Sequence, residues 1–194
     1  MKKSTIYVII AAVAVIIVYG ISTYNGFVSQ DENVSRAWSD VETQYQRRAD
    51  LIPNLVNTVK GYAAHESETL QAVVEARSKA TQVTVDPSNI TPEKLAEFQE
   101  AQGAVSQALG RLLAVAESYP DLKANEQFLE LQAQLEGTEN RIAESRRIFN
   151  EAAQQYNVSV RRFPANIFAN MFGFSTKGNF KAETGAEKAP TVTF

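Results

Sequence analysis

The chain has 194 residues, room for one ordinary domain and a small appendage. Its 19 Lys and Arg stand against 22 Asp and Glu, and this net charge of -3 lacks the basic surplus of a nucleic-acid binder. The absence of cysteine excludes disulfides, thiolate metal sites, iron–sulfur clusters and cysteine nucleophiles, and a single histidine excludes a multi-histidine metal site within one chain.

From Ile6 to Ile21 the sequence IYVIIAAVAVIIVYGI carries no charge. With the mild flanks Ser4 to Tyr24 it makes a helix of roughly 31 Å, matching the ~30 Å hydrocarbon core of a bilayer. Tyr7, Tyr19 and Tyr24 fall near the ends, where amphipathic rings favour the headgroup region. Lys2 and Lys3 ahead of an apolar run also fit a cleaved signal peptide. The run is long, however, and only Gly20-Ile21-Ser22 offers a small-x-small site, so an uncleaved anchor over 5–24 is expected. The two lysines before it, against Asp31 and Glu32 after it, place residues 1–4 in the cytoplasm and residues 25–194 outside.

Beyond the anchor the periodicity is helical. Val34, Trp38, Val41 and Tyr45 step by four, three and four residues and share one face. Pro53 removes a backbone donor and crowds the preceding turn, which predicts a kink or break around Leu51–Pro53. A second helix then carries Leu55, Val59, Tyr62, Leu70, Val73 and Val74 to about Ala80. After a loop at QVTVDPSNITP, Thr91 is the expected N-cap and Pro92 the first residue of a third helix bearing Leu95, Phe98, Val105, Leu109, Leu112 and Ala116. Ser118-Tyr119-Pro120-Asp121 predicts the next break.

The last helix, about Asn125 to Arg162, is the most regular. Phe128, Leu135, Ile142, Phe149, Tyr156 and Phe163 recur every seven residues, beside a seam of mostly small residues at Leu131, Thr138, Ser145, Ala152 and Ser159. A seven-residue repeat favours supercoiled helix packing. The fold class is therefore all-α: a transmembrane helix followed, over 25–163, by an elongated antiparallel up-and-down bundle of three or four long helices. The segment FPANIFANMFGF holds six Phe, Ile or Met residues, including Phe163, Phe168, Met171, Phe172 and Phe174. An apolar cluster at 164–174 is expected to fold back over the bundle, enter the membrane interface or contact another subunit. The tail 175–194, rich in Gly, Thr and Lys, reads as flexible, with Phe180 and Phe194 able to dock.

Catalytic patterns are missing. His65-Glu66 begins like a metalloprotease helix, but Thr69 stands where the second histidine is needed. No nucleophile elbow, phosphate loop or dinucleotide fingerprint occurs, so no cofactor is expected and the chain reads as a non-enzyme. Two polar constellations stand out. Arg47, Asp50 and Asn54 share a helix face beside Pro53, where Asp50 pairing with Arg47 and side chains satisfying the backbone freed by proline is the simpler explanation and ligand or partner binding the other. Glu139, Arg146, Asn150 and Asn157 cluster on one side of the last helix, either networking within the bundle or facing a subunit or partner helix.

The runs AWSDVETQYQRRADLIPNLVNTVKGYAAHE at 37–66, ARS at 76–78, ESYPDLKANEQFLELQAQLEGTENRIAESRRIFNEAAQQYN at 117–157 and FPANIFANMFGF at 163–174 resemble the LemA family. The resemblance implies a bacterial membrane protein with a mainly helical bundle and no established catalytic activity. A self-associating, membrane-anchored scaffold is the leading expectation, with the bilayer and a second copy of the chain as partners. An envelope adaptor that captures a partner protein's helix or peptide is the alternative.

Overall fold

The computed structural model describes residues 3–181. Residues 1–2 of the N-terminal segment and 182–194 of the tail, Phe194 included, lie outside the described residues. Six helices follow in order: α1 (Lys3–Tyr62), α2 (Ser67–Gln82), α3 (Pro92–Ala116), α4 (Pro120–Lys123), α5 (Glu126–Arg161) and α6 (Ala165–Phe172). Among the described residues there is no strand.

The 60 residues of α1 join two environments without interruption. Its first third leaves large apolar side chains such as Val8, Ile10, Val15 and Val18 exposed, and α1 is the one described helix long and apolar enough to cross a membrane. From Phe27 onward the same helix turns a buried stripe of Val34, Trp38, Val41, Tyr45, Ile52, Leu55 and Val59 toward the bundle.

Of the kink or break expected around Leu51–Pro53, the break does not occur, since α1 continues through Pro53 to Tyr62. Proline at 53 cannot donate to the carbonyl four residues back, that of Ala49. Arg77 of α2 supplies the missing donor, its Nε reaching the Ala49 oxygen at 2.7 Å. The helix therefore survives, and the chain turns ten residues later, between Tyr62 and Ser67. That turn is tied from outside: the Tyr119 hydroxyl donates to Glu66 at 3.1 Å and Asn125 donates to the Tyr62 hydroxyl at 2.9 Å.

The other boundaries follow their local chemistry. The Thr91 hydroxyl accepts from the Lys94 amide at 3.2 Å, with Pro92 behind it in the first helical position. Asn125 caps α5 by accepting from the Phe128 amide at 2.9 Å. Gly173 closes α6 at φ 81°, a left-handed conformation that glycine adopts without a Cβ clash.

On α5 the heptad residues Phe128, Leu135, Ile142, Phe149 and Tyr156 are buried. Phe163 is not: α5 ends at Arg161, the helical phase is lost, and this ring is 81% exposed. Thr138, Ser145 and Ser159 of the small seam are buried, each hydroxyl donating to a carbonyl one turn earlier, so no polar group is left bare there. Contacts between α1 and α5 pair Tyr62 with Asn125, Arg48 with Glu139 and Trp38 with Phe149, so numbers on α5 rise as those on α1 fall. The core divides in two. One cluster holds Phe27, Trp38, Tyr45, Phe98, Phe149 and Phe180, and the other holds Ile52, Val59, Val73, Leu109, Leu112 and Phe128.

The Arg77–Ala49 bond makes a double-mutant cycle informative. Arg77→Ala should destabilise the full-length protein in detergent by about 1–3 kcal/mol, the range for leaving a backbone acceptor unpaired. In a Pro53→Ala background the residue 53 amide satisfies Ala49, and less than half of that loss should remain. Thermal unfolding followed by helical circular dichroism measures both.

Candidate functional site

Between the two apolar clusters sits Arg48, a charged side chain only 2% exposed. Its Nη1 donates to Ser106 at 2.8 Å and Glu139 at 2.9 Å, and its Nη2 donates to the carbonyl and side-chain oxygens of Gln102 at 3.1 and 2.6 Å. The guanidinium also lies 5.0 Å from the Tyr45 ring centroid. One side chain of α1 thus grips α3 and α5 together. Both terminal nitrogens are engaged by acceptors of the protein itself, so the group serves first to fix structure. Two clefts flank it: one of about 170 Å³ between Tyr45, Ile52, Arg77 and Phe98, the other of about 570 Å³ between Gln102, Ser106, Glu139 and Arg146.

Sequence inspection singled out the neighbouring Arg47 instead. The structure leaves Arg47, Asp50 and Asn54 exposed on the outer face of α1, along an open depression shared with Ser39, Glu42 and Gln46. Asp50 accepts from Gln46 at 2.8 Å rather than from Arg47. The backbone group freed by Pro53 is met by Arg77, which comes from outside this trio. The signal that locates Arg48 is its register: continuing the spacing of Val34, Trp38, Val41 and Tyr45 by three, four, three and four lands on Arg48, Ile52, Leu55 and Val59. A charge at a core position of a helix is the anomaly that marks it.

The second polar group is brought together as a grip on the chain's own C-terminal segment. Asn157 binds both backbone groups of Lys177, accepting from its amide at 2.8 Å and donating to its carbonyl at 2.9 Å. Asn150 does the same to Phe180, at 2.8 and 3.0 Å. Gln99 of α3 does so to Lys181, at 3.3 and 2.9 Å, and Arg146 adds a bond to the Lys181 carbonyl at 3.1 Å. Glu139 stands apart from this grip and belongs to Arg48. The part of the tail from Ser175 to Lys181, expected to be loose, is therefore a strap seated along the bundle.

Side chains complete the strap. Phe180 enters the aromatic core, 6.0 Å from Trp38 and 5.5 Å from Phe149, with Arg146 over its outer face at 4.8 Å. Lys177 is 8% exposed, pairing with Asp31 at 2.9 Å and donating to the Ser88 carbonyl at 2.7 Å. Gly178 donates to the Ile90 carbonyl at 2.9 Å, and a Cβ there would meet the Pro92 backbone at 3.0 Å. Only glycine passes so close to the start of α3.

The remaining site residues gather beside the anchor. The Phe168 ring packs on Tyr19 with centroids 5.7 Å apart, Phe172 on Tyr24 at 5.1 Å, and Phe174 on Phe27 at 5.1 Å. Met171 and Phe163 remain exposed.

Titration follows burial. The Tyr156 phenol is pushed up to about 12 by burial, with the Asp31 carboxylate adding to the effect. Tyr45 is raised by burial against the opposing pull of Arg146 and Arg48. Asp86 is lowered because the Ser88 hydroxyl and amide both donate to it. None of these groups lies against a nucleophile in a cleft, and among the described residues no three His, Asp or Glu side chains are close enough to hold a metal ion. His65 is exposed in the turn after α1.

Fold and site together define a class: a helical bundle carried on one apolar, membrane-length helix, braced by a buried arginine and closed by its own C-terminal strap. The chain belongs to the LemA family, whose sequence profile matches residues 37–194. It is similar to magnetosome protein MamQ 2 of Paramagnetospirillum magneticum, 29% identical over 187 residues, which covers 88% of this chain and 68% of that protein. It is also similar to protein LemA of Metamycoplasma hominis, 24% identical over 158 residues, covering 81% and 68%.

The two partners of the arginine pair should respond unequally. Glu139→Leu leaves a guanidinium buried without its counter-charge and should cost about 2–3 kcal/mol, below the usual 3–5 for a fully buried pair because Glu139 is 40% exposed. Arg48→Met removes the buried charge and leaves a carboxylate that water can reach, costing about 1–2 kcal/mol. Denaturant midpoints in detergent order the two. For the strap, trypsin should cut slowly after the buried Lys177 in the wild-type chain and much faster in Asn150→Ala/Asn157→Ala, with the helical signal unchanged.

Proposed function

We propose that this chain is a non-enzymatic scaffold of the bacterial cell envelope. It spans the membrane once through residues 5–24, keeps its N-terminus cytoplasmic, presents an antiparallel up-and-down bundle outside and self-associates. The observation that carries the reading is the unbroken α1, which runs from the apolar segment into the bundle core with no linker between them. A joint of this kind fixes the bundle's direction relative to the apolar segment, as a structural element requires. Family membership and the bacterial sources of the relatives support the setting. Self-association gathers many anchors in one patch of bilayer, where avidity holds the assembly.

One observation favours the adaptor reading as well. The grip of Asn157, Asn150 and Gln99 addresses backbone groups, which is how an extended peptide of another protein is held irrespective of most of its side chains. Light scattering of the full-length protein in detergent separates the two. A defined oligomer supports the scaffold, and a monomer at all concentrations overturns it in favour of the adaptor.

A further inference from the structure

We infer that α6, with the turn that precedes it, is a second membrane contact: an interfacial foot embedded among lipid acyl chains in the leaflet where the anchor emerges into the bundle. The inference rests on the reading that residues 5–24 span a bilayer, and it adds a lipid-binding surface to that reading.

Position comes first. Gly20 lies inside the apolar stretch, and a Cβ built on it would sit 2.9 Å from the Phe168 ring, so the two segments touch as closely as glycine allows. Wherever a bilayer places Gly20 it also places Phe168. Between the two helices lies an apolar crevice of about 520 Å³ lined by Ile16, Ile17, Ile21, Phe168, Met171 and Phe172. Ile17 lies seven residues before Tyr24, or about 10 Å along the helix axis. With Tyr24 at the headgroup level, α6 reaches to roughly the 5–10 Å depth at which amphipathic helices lie in the interface.

The faces of the segment fit that depth. Ala165 and Ala169 are buried against the bundle side. Ile167 and Met171, spaced by four on α6, are 56% and 64% exposed, Phe163 in the preceding turn is 81% exposed, and Phe172 adds to the apolar surface. No residue of α6 is charged, while Arg161 and Arg162 stand exposed immediately before Phe163, available to anionic lipid headgroups. Such a cluster facing water is costly, and its continuity with the exposed apolar face of the anchor identifies what covers it. A single slab of hydrocarbon satisfies both surfaces.

The chain has no cysteine, so single cysteines report cleanly. Full-length Val13→Cys, Ile167→Cys, Met171→Cys and Glu130→Cys would each be spin-labelled in phosphatidylcholine–phosphatidylglycerol vesicles and probed for collision with oxygen, which enters lipid, and with a polar nickel chelate, which stays in water. Glu130 is exposed on the bundle far from the anchor. We expect the labels at 167 and 171 to favour oxygen severalfold over the chelate, at a shallower depth than the label at 13, with the label at 130 favouring the chelate. Labels at 167 and 171 that match 130 while 13 lies deep in lipid overturn the foot and leave the span intact. Labels at 167 and 171 shielded from both reagents overturn it in favour of a protein contact with a second copy. A label at 13 open to the chelate overturns span and foot together. A Gly20→Leu chain, whose added side chain pushes Phe168 away, should lose the oxygen preference at 171 while keeping it at 13.

Discussion

The bundle depends on the burial of one positive charge. A guanidinium cannot leave water unless acceptors meet it in the right directions, and those around Arg48 come from two helices distant in sequence, Gln102 and Ser106 on α3 and Glu139 on α5. The three helices are therefore held to one mutual height, because sliding any of them by a turn strips the charge of partners. Apolar packing alone tolerates such slippage more readily, since one leucine resembles the next. The aromatic-rich cluster on one side of Arg48 and the mainly aliphatic cluster on the other are both packed in the register that this group permits.

The strap obeys a related logic. A bundle core assembled from helices alone would leave the outer faces of Trp38 and Phe149 short of a neighbour, and Phe180 supplies it. Amide side chains hold the strap because each offers a donor and an acceptor side by side, matching the donor and acceptor of a single extended residue. Lys177 adds a charge clamp to Asp31, so the C-terminal segment is tied back to the helix that begins at the N-terminus.

The sequence revealed what is encoded within a few turns and hid what is encoded across the chain. The apolar, membrane-length stretch, the Thr91 cap and the buried heptads from Phe128 to Tyr156 are legible because spacing along one helix determines them. That Pro53 does not break the helix is not legible, because its remedy, Arg77, lies on another helix. Arg47 and Asp50 attract notice through their spacing yet face outward, while Arg48 passes for an ordinary surface charge until the core stripe is extended through it. Asn150 and Asn157 are visible as a pair, but their targets lie in a Gly- and Lys-containing stretch whose composition resembles a loose tail. Burial of Lys177 and Phe180 there is a tertiary fact with no local signature.

The continuity of α1 carries a mechanical consequence. From Tyr24 to Tyr62 the helix extends about 57 Å with no joint, so on the proposed span it would act as a lever pivoting where it leaves the bilayer. Transmembrane helices tilt by about 20° on average, and by more or less as hydrocarbon thickness changes. A tilt of that size displaces the far end of such a lever sideways by about 20 Å. Under that reading a thin membrane and a thick one would hold the turn around His65 at different positions, and bilayer thickness would be a coordinate that neighbours of the bundle tip can feel.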